Sequence, residues 1–218
     1  MARLTGPALA LAAGLLMALG LAPFSFYWAP VLGLGVVFAR VARLGRARAV
    51  LGHGYLFGLG YAGLGVYWIY HSIADYGGGP LAAVLATGIL VALFALIPMI
   101  ALFIGWWAGA GRAGRRALLA LPLAWLLVEW VRSWLFTGAT WLSVGYSQID
   151  TPLAHFAPLF GVYGPGLVVA LLGGTLAWWL LRPRSARIAL PLGATLGVTV
   201  IGVVLERERL GDVGHAGR

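Results

Sequence analysis

Cysteine and lysine are both absent from the 218 residues of this chain. Without cysteine, these residues can form no disulfide, no thiolate nucleophile and no cysteine-based metal site. Charge is also scarce, since only 10% of residues are charged and six of them are acidic. Apolar residues dominate instead, at 61% of the chain, and the mean hydropathy is +0.94. Soluble domains carry roughly 25% charged residues, so the composition predicts an all-α, polytopic transmembrane helix bundle.

The four histidines do not have the paired spacing by which proteins bind metal ions. They are His53, His71, His155 and His215. Because cysteine ligands are missing as well, we expect no metal site and no cofactor.

The positive charge comes entirely from arginine, and most arginines form three clusters that separate apolar runs. The clusters are Arg40, Arg43, Arg46 and Arg48; Arg112, Arg115 and Arg116; and Arg182, Arg184 and Arg187. The intervening loops, residues 23–30, 72–80 and 137–158, contain no arginine. This alternation is typical of the positive-inside rule and predicts cytoplasmic clusters. A nucleic-acid-binding surface is the competing interpretation, but no cluster has the folded domain or the interleaved aromatic residues of such a surface.

Seven apolar runs lie between these anchors and predict about seven membrane spans. The runs are residues 7–21, 27–39, 51–73, 81–107, 117–136, 159–181 and 188–205. Because about 20 residues cross a bilayer core, the first two runs are short, and the fourth is long enough to tilt. A signal peptide is the alternative for the first run; we favour a retained helix because no small-residue cleavage site follows. A cytoplasmic N-terminus then places residues 206–218 outside the cytoplasm.

Small residues recur at four-residue spacing along several of these runs. They are Gly54, Gly58 and Ala62; Gly105 and Gly109; Gly166, Ala170 and Gly174; and Gly193 and Gly197. Such faces let helices approach closely in lipid. The pattern therefore predicts a compact bundle and carries no information about function.

Two ionisable residues, Glu129 and Arg132, lie within a predicted span. A charged group at the centre of a membrane helix costs roughly 2.5–3.5 kcal/mol on insertion scales, so such residues usually have a partner or face a cavity. Residues three apart share a helix face and can pair. Two interpretations remain open: a structural ion pair near the outer end of the fifth span, or the lining of a site for a lipid or peptide headgroup.

The loop that follows this span is long, aromatic and polar. Aromatic anchoring at a membrane interface explains residues such as Trp141 and Tyr146. It does not explain Gln148 and Asp150, which stand in a loop too long to be a simple connection. We therefore predict a lipid-binding or substrate-binding surface on the outer side. Its candidate residues are Glu129, Arg132, Trp141, Tyr146, Gln148 and Asp150.

Three stretches then stand in a distinctive order: APFSFYW, GYLFGLGYAGLGVYWIYHSIADYGG, and LLVEWVRSWLFTGATWLSVGYSQIDTPLAHFAPLFGVYG. In this order and spacing they resemble the membrane domain of bacterial apolipoprotein N-acyltransferase, over roughly residues 6–205. The resemblance implies an enzyme of the inner membrane that transfers an acyl chain from a glycerophospholipid to a lipoprotein. The acceptor would be the N-terminal amino group of a diacylglyceryl-cysteine, and the intermediate a thioester on a cysteine.

The resemblance also implies that catalysis belongs to a periplasmic nitrilase-like domain after the seventh span, with Glu, Lys and Cys as catalytic residues. In this chain the corresponding position holds ERERLGDVGHAGR, residues 206–218, so no catalytic residue can be transferred. We expect residues 1–205 to be the membrane domain, inactive alone. Its expected partners are phospholipid and lipoprotein, with a separate nitrilase-like domain as a further candidate, and no nucleic acid. A noncatalytic scaffold or remnant is the alternative. A small-solute transporter is less favoured, because the spans lack an inverted repeat.

Overall fold

The computed structural model describes residues 5–135 and 138–182, and all regular secondary structure in these ranges is helical. The helices are α1 (Thr5–Ala18), α2 (Ala29–Ala42), α3 (Ala47–Gly65), α4 (Tyr67–Ile73), α5 (Gly79–Phe94), α6 (Leu96–Ala108), α7 (Ala113–Arg115), α8 (Leu121–Arg132), α9 (Ala157–Phe160) and α10 (Tyr163–Leu181). The predicted all-helical class is confirmed for this part of the chain. The expected seventh span, residues 188–205, and the tail, residues 206–218, lie outside the described residues.

Two of the predicted spans each consist of two helices. The third span bends at Val66, between α3 and α4, where the backbone leaves the helical region (φ −115°, ψ 16°). The fourth divides at Ala95, between α5 and α6. Pro98 explains this second break, because proline lacks an N–H and its ring crowds the carbonyl of Phe94.

The chain reverses direction between α4 and α5. The turn passes through Gly77, whose φ of +106° is readily adopted only by glycine. Residues 67–108 form a nearly continuous run of helical hydrogen bonds, but this turn divides the run into two arms that point in opposite directions. α5 and α6 together form the longer arm, the α5–α6 arm, which is about 45 Å long at 1.5 Å per residue.

Two stretches of the described chain are long and apolar enough to cross a membrane by length and composition: residues 67–108 and Tyr163–Leu181. The helices α1 and α2 have 14 residues each. They are therefore about 21 Å long, less than the roughly 30 Å of a hydrocarbon core. The first two helices are thus as short as expected. By length and apolar composition, the described residues contain fewer spans than the seven predicted.

The main helices alternate in direction through the bundle. On α3, Gly54 lies against Met99 of α6 and Gly58 lies against Ala95, so residue numbers rise on one helix as they fall on the other. The same relation holds for α1 with α2, α6 with α8, and α8 with α10. α2 and α10 run parallel, as expected of helices that are an even number of passes apart.

The small-residue faces predicted on α3, α6 and α10 lie at helix contacts. A Cβ built on Gly58 would lie 2.5 Å from the Ala95 carbonyl oxygen, and one on Gly105 would lie 2.7 Å from Cα of Leu121. These distances are possible only because glycine brings the backbones together. The predicted pair Gly193 and Gly197 lies outside the described residues.

We expect Gly58→Ala to destabilise the bundle by roughly 1–3 kcal/mol, the usual cost of overpacking. Gly52 provides the control on the same helix, because a Cβ there would meet nothing within 4 Å. Gly52→Ala should be neutral or stabilising by roughly 0.5–1 kcal/mol, since alanine favours helix over glycine. Thermal unfolding in detergent, followed by circular dichroism, measures the difference. Equal midpoints for the two variants would contradict the close α3–α6 contact.

Arg116 joins the ends of three elements at the basic end of the bundle. Its side chain is buried, and its Nε donates to the carbonyl oxygen of Trp106 at 2.8 Å. Its Nη1 lies 3.3 Å from the carbonyl oxygen of Ala42 and 3.4 Å from that of Leu44. The guanidinium also lies 4.7 Å from the centroid of the Trp106 ring. Arg116 thus satisfies carbonyls at the C-terminal ends of α2 and α6, which a helix cannot satisfy internally.

The first arginine cluster meets α3 and α10 at this same end. Arg43 donates through Nη2 to the carbonyl oxygen of Leu180 at 3.1 Å, and Arg40 donates through Nε to His53 Nε2 at 3.3 Å. The predicted convergence of arginines on one side of the bundle is therefore visible in the contacts. Two of the arginine-free loops, residues 23–30 and 137–158, meet at the opposite end, here called the outer end, where Gln148 reaches Tyr27.

Candidate functional site

The outer end contains a cavity of about 390 Å³ between two of the arginine-free loops, residues 23–30 and 137–158, and the junction of α3 and α4. Its walls include Tyr27, Trp68, Trp141, Tyr146 and Asp150, which define the outer cavity. Three of these, Trp141, Tyr146 and Asp150, are residues predicted from the sequence. Apolar rings and one carboxylate thus face the same space, an arrangement suited to an amphipathic or cationic group.

Trp141 connects the outer cavity to the helices below it. Its ring stacks on Phe94 of α5, with centroids 6.4 Å apart and planes 9° apart, and it meets Trp68 edge-on at 5.9 Å. More than half of its surface nevertheless remains exposed. The ring is therefore held in place by α4 and α5 while one side stays available for contact.

Gln148 has a different place from the one predicted. It is buried, and its amide nitrogen donates to the carbonyl oxygen of Tyr27 at 2.9 Å and to Ser147 Oγ at 2.8 Å. Its Oε1 accepts from Thr151 Oγ1 at 3.2 Å. Because these bonds fasten the outer loop to the α1–α2 connection, Gln148 positions the wall of the cavity and does not line it. Asp150, two residues later, is exposed.

Glu129 and Arg132 are both buried on α8, but they do not form the structural ion pair that was one of the two interpretations of their spacing. No carboxylate oxygen and guanidinium nitrogen of this pair come within 4.0 Å. Glu129 Oε1 instead accepts from the backbone N–H of Val144 at 2.9 Å, and Arg132 Nη2 donates to Ser143 Oγ at 3.1 Å. Each side chain thus binds residues 143–144, in the segment that folds back over α8. The spacing of Glu129 and Arg132 along the sequence does not predict this contact.

A small cavity of about 20 Å³ lies between α3, α6 and α8; most of its lining is apolar, and it is called the polar cavity here for the four polar side chains that reach it. Tyr61, Trp125, Glu129 and Arg132 define this polar cavity, and the Tyr61 hydroxyl donates to the carbonyl oxygen of Leu142 at its edge. Tyr61 and Trp125 are not among the candidate residues predicted from the sequence. Trp125 could have been found, because it stands four residues before Glu129 and thus shares its helix face.

Three buried side-chain atoms of the polar cavity have no hydrogen-bond partner. They are Trp125 Nε1, Glu129 Oε2 and Arg132 Nε. Within the described ranges one other buried side-chain atom, Thr87 Oγ1, is in this condition. Buried polar atoms normally find partners, so this concentration in one cavity marks a place for a polar ligand group or an ordered water.

An apolar groove of about 730 Å³ adjoins the polar cavity. This lateral groove runs between the α5–α6 arm and α8, with Leu93, Ile97, Ile100, Leu127 and Val131 among its walls. Arg132 lines both the groove and the polar cavity, as do Phe94, Ile97 and Val128. The two spaces therefore meet near the outer end of α8.

Comparison with known proteins identifies the family. The profile of the apolipoprotein N-acyltransferase N-terminal domain matches residues 13–175. An apolipoprotein N-acyltransferase of Methylococcus capsulatus is 44% identical over 190 residues, and one of Nitrosomonas europaea is 41% identical over 208 residues. A third, from Coxiella burnetii, is 39% identical over 170 residues.

These alignments cover most of the present chain but a minor part of each relative. They include 86%, 91% and 76% of this chain, and 37%, 39% and 34% of the relatives from Methylococcus, Nitrosomonas and Coxiella, respectively. The chain thus spans less than half the length of the curated relatives it matches. Since the matched domain covers well over half of its residues, the chain belongs to the apolipoprotein N-acyltransferase family, through the N-terminal domain of that family.

Proposed function

We propose that this chain is the membrane module of a phospholipid:apolipoprotein N-acyltransferase in the bacterial inner membrane. The observation that carries the proposal is the outer cavity, which gathers Trp141, Tyr146 and Asp150 at the end opposite the buried arginines. The family supplies the chemistry: acyl transfer from a glycerophospholipid to the N-terminal amino group of a diacylglyceryl-cysteine lipoprotein. The outer cavity receives parts of these substrates on the periplasmic side.

The topology of the module has seven spans, with residues 188–205 as the last of them and residues 1–205 as the membrane domain. The N-terminus is cytoplasmic, and residues 206–218 are periplasmic. Support comes from the alternating direction of the described helices and from the arginines that meet at one end. The positive-inside rule makes that end cytoplasmic.

The absence of cysteine permits a direct test of this topology. We expect an impermeant thiol reagent, applied to intact cells, to label Tyr76→Cys and Ile149→Cys, because these side chains are 89% and 64% exposed at the outer end. Gly45→Cys and Arg112→Cys, at exposed positions of the basic end, should be labelled only after the cells are opened. Labelling of Gly45→Cys in intact cells would contradict the proposed orientation.

The six candidate residues divide into three roles within this proposal. Trp141, Tyr146 and Asp150 contact a substrate headgroup or peptide directly. Gln148 positions them through its bonds to Tyr27 and Ser147. Glu129 and Arg132 hold residues 143–144 in place and leave unpartnered atoms for a ligand.

The catalytic thiolate of the family must come from sequence outside these 218 residues, which contain no cysteine. The functional test is therefore a chimera, in which residues 1–205 replace the corresponding part of the Methylococcus capsulatus relative. We expect the chimera to convert a diacylated lipopeptide into the triacylated form in the presence of phospholipid, as detected by mass spectrometry.

Variants of the chimera test the outer cavity. Trp141→Ala and Asp150→Asn should each lower acyl transfer about tenfold, the effect of losing roughly 1.4 kcal/mol of binding. Arg115→Ala, at an exposed position of the basic end, is the control and should retain full activity. If the chimera folded but had no activity while the parent enzyme was active, the proposal that this chain is an acyltransferase module would be rejected. A noncatalytic scaffold would then be the better description.

A further inference from the structure

The lateral groove and the polar cavity form one amphipathic site that the outer cavity does not include. The groove is apolar along α6 and α8, whereas the polar cavity beside its outer end holds unpartnered atoms of Trp125, Glu129 and Arg132. Arg132 belongs to both spaces and is more than nine-tenths buried. A ligand with an apolar tail and a polar head would satisfy both parts at once.

The polar cavity specifies the head of such a ligand. Arg132 Nε is a donor without a hydrogen-bond partner, whereas Trp125 Nε1, a second donor, faces the Glu129 carboxylate without a hydrogen bond of ordinary length. The volume of about 20 Å³ admits roughly one water or one ester oxygen. Arg132 is the one basic side chain on the walls of the groove, and the geometry of guanidinium suits a phosphate group.

The shape of the groove specifies the tail. Its walls come from residues on one face of each helix, such as Ile97, Ile100 and Ile104 on α6 and Leu127 and Val131 on α8. At the inner end the groove closes, because the close contact of Gly105 joins the two helices there. A helix with side chains is about 10–12 Å across and needs a channel of constant width. A single hydrocarbon chain can follow a wedge that narrows.

We infer that the lateral groove binds one acyl chain of a glycerophospholipid, with the phosphate at Arg132 and a water or glycerol-ester oxygen in the polar cavity. Glu129 lies one helical turn further from the outer end, so an entering phosphate meets Arg132 first. The site rests on the proposed function for its membrane setting, but its occupation requires no acyl transfer.

The test uses the purified chain in detergent with a phosphatidylglycerol that carries a diazirine midway along one acyl chain. After irradiation, mass spectrometry of peptides locates the adducts. We expect adducts at Ile97, Ile100 and Leu127 to exceed those at Leu85 and Ile89 on α5. These last two are the matched control, because at 57% and 62% exposed they are at least as accessible to lipid.

Competition identifies the headgroup contact. Unlabelled phosphatidylglycerol should displace the groove adducts about tenfold better than diacylglycerol with the same chains, the effect of a charge-assisted phosphate contact. Arg132→Gln should remove this difference, and Arg115→Gln should preserve it. Equal labelling of the groove and of the α5 control face would show that the groove contacts lipid no more specifically than the rest of the surface, and would reject the site. Equal competition by diacylglycerol would overturn the role of Arg132.

A second variant keeps the test decisive if Arg132→Gln does not fold. Ile100→Trp fills the groove without changing a polar atom and should abolish the adducts at Leu127, whereas Ile89→Trp should leave them unchanged. Persistent adducts in a folded Ile100→Trp protein would reject the groove. Because labelling requires no turnover, strong groove labelling beside an inactive chimera would count against the proposed function and not against the lipid site.

Discussion

The 218-residue chain, purified and mixed with glycerophospholipid and a diacylated lipopeptide, is expected to form no triacylated product. The thioester intermediate of the family requires a thiolate, and these residues contain no cysteine to provide one. Mass spectrometry of the lipopeptide is the measurement, with the full-length Methylococcus capsulatus relative as the positive control. The amount of triacylated lipopeptide is expected to equal that of a sample without protein.

Product above that level would require acyl transfer without a covalent cysteine intermediate. Arg132→Gln would then show whether the groove supplies the donor lipid directly. If the product persisted in that variant at full rate, the chemistry taken from the family would need revision, and the phosphate contact of Arg132 would not be needed to supply the donor lipid.

Arg116→Gln is expected to destabilise the bundle by several kcal/mol. Hydrogen bonds to charged groups contribute about 1.5–3 kcal/mol each, and Arg116 reaches three carbonyl oxygens, those of Trp106, Ala42 and Leu44. Glutamine is too short to reach all three. The loss of several kcal/mol is a large part of the roughly 5–15 kcal/mol that stabilises a typical protein.

Arg115→Gln is the matched control, because it removes the same charge from the neighbouring, exposed position. We expect Arg116→Gln to yield mostly aggregated protein after detergent extraction, whereas Arg115→Gln should elute as a single species with an unchanged unfolding temperature. Arg116→Lys should fail to rescue, since an ammonium cannot replace a planar guanidinium that bonds in several directions. Similar elution of the Arg116 and Arg115 variants would contradict a structural role for this side chain.

Features set by local chemistry could be predicted from the sequence. Apolar composition and arginine spacing predicted the helical class and the convergence of Arg40, Arg43 and Arg116 at one end. Glycine spacing predicted the faces at which α3 meets α6, because close backbone approach needs small residues wherever it occurs. The break at Ala95 was missed, although Pro98 is a local signal for it.

Features set by distant partners could not be predicted. An ion pair between Glu129 and Arg132 was one of the two interpretations of their spacing, but their hydrogen-bond partners are Val144 and Ser143, which only the folded loop brings to α8. The sequence predicts that Gln148 shapes the outer surface, and it contains no local signal for the burial of this side chain, since the Tyr27 carbonyl to which Gln148 donates lies 121 positions earlier. The hydrogen-bond partner of a polar side chain depends on which groups folding brings close to it. Spacing along the sequence predicts only the neighbours on the same helix.

The parallel contact between α2 and α10 has a consequence for biogenesis. Gly35 of α2 packs against Leu176, and Arg43 binds the carbonyl of Leu180, 137 residues further along the chain. Proteins are made from the N-terminus, so α1, α2 and α3 can associate early. The side of α2 that contacts α10 has no helix to pack against until α10 has been made. Until translation passes Leu180, that side faces lipid or the insertion machinery. The last described helix thus completes the packing of the second, and a ribosome stalled before residue 163 would leave α2 open to degradation.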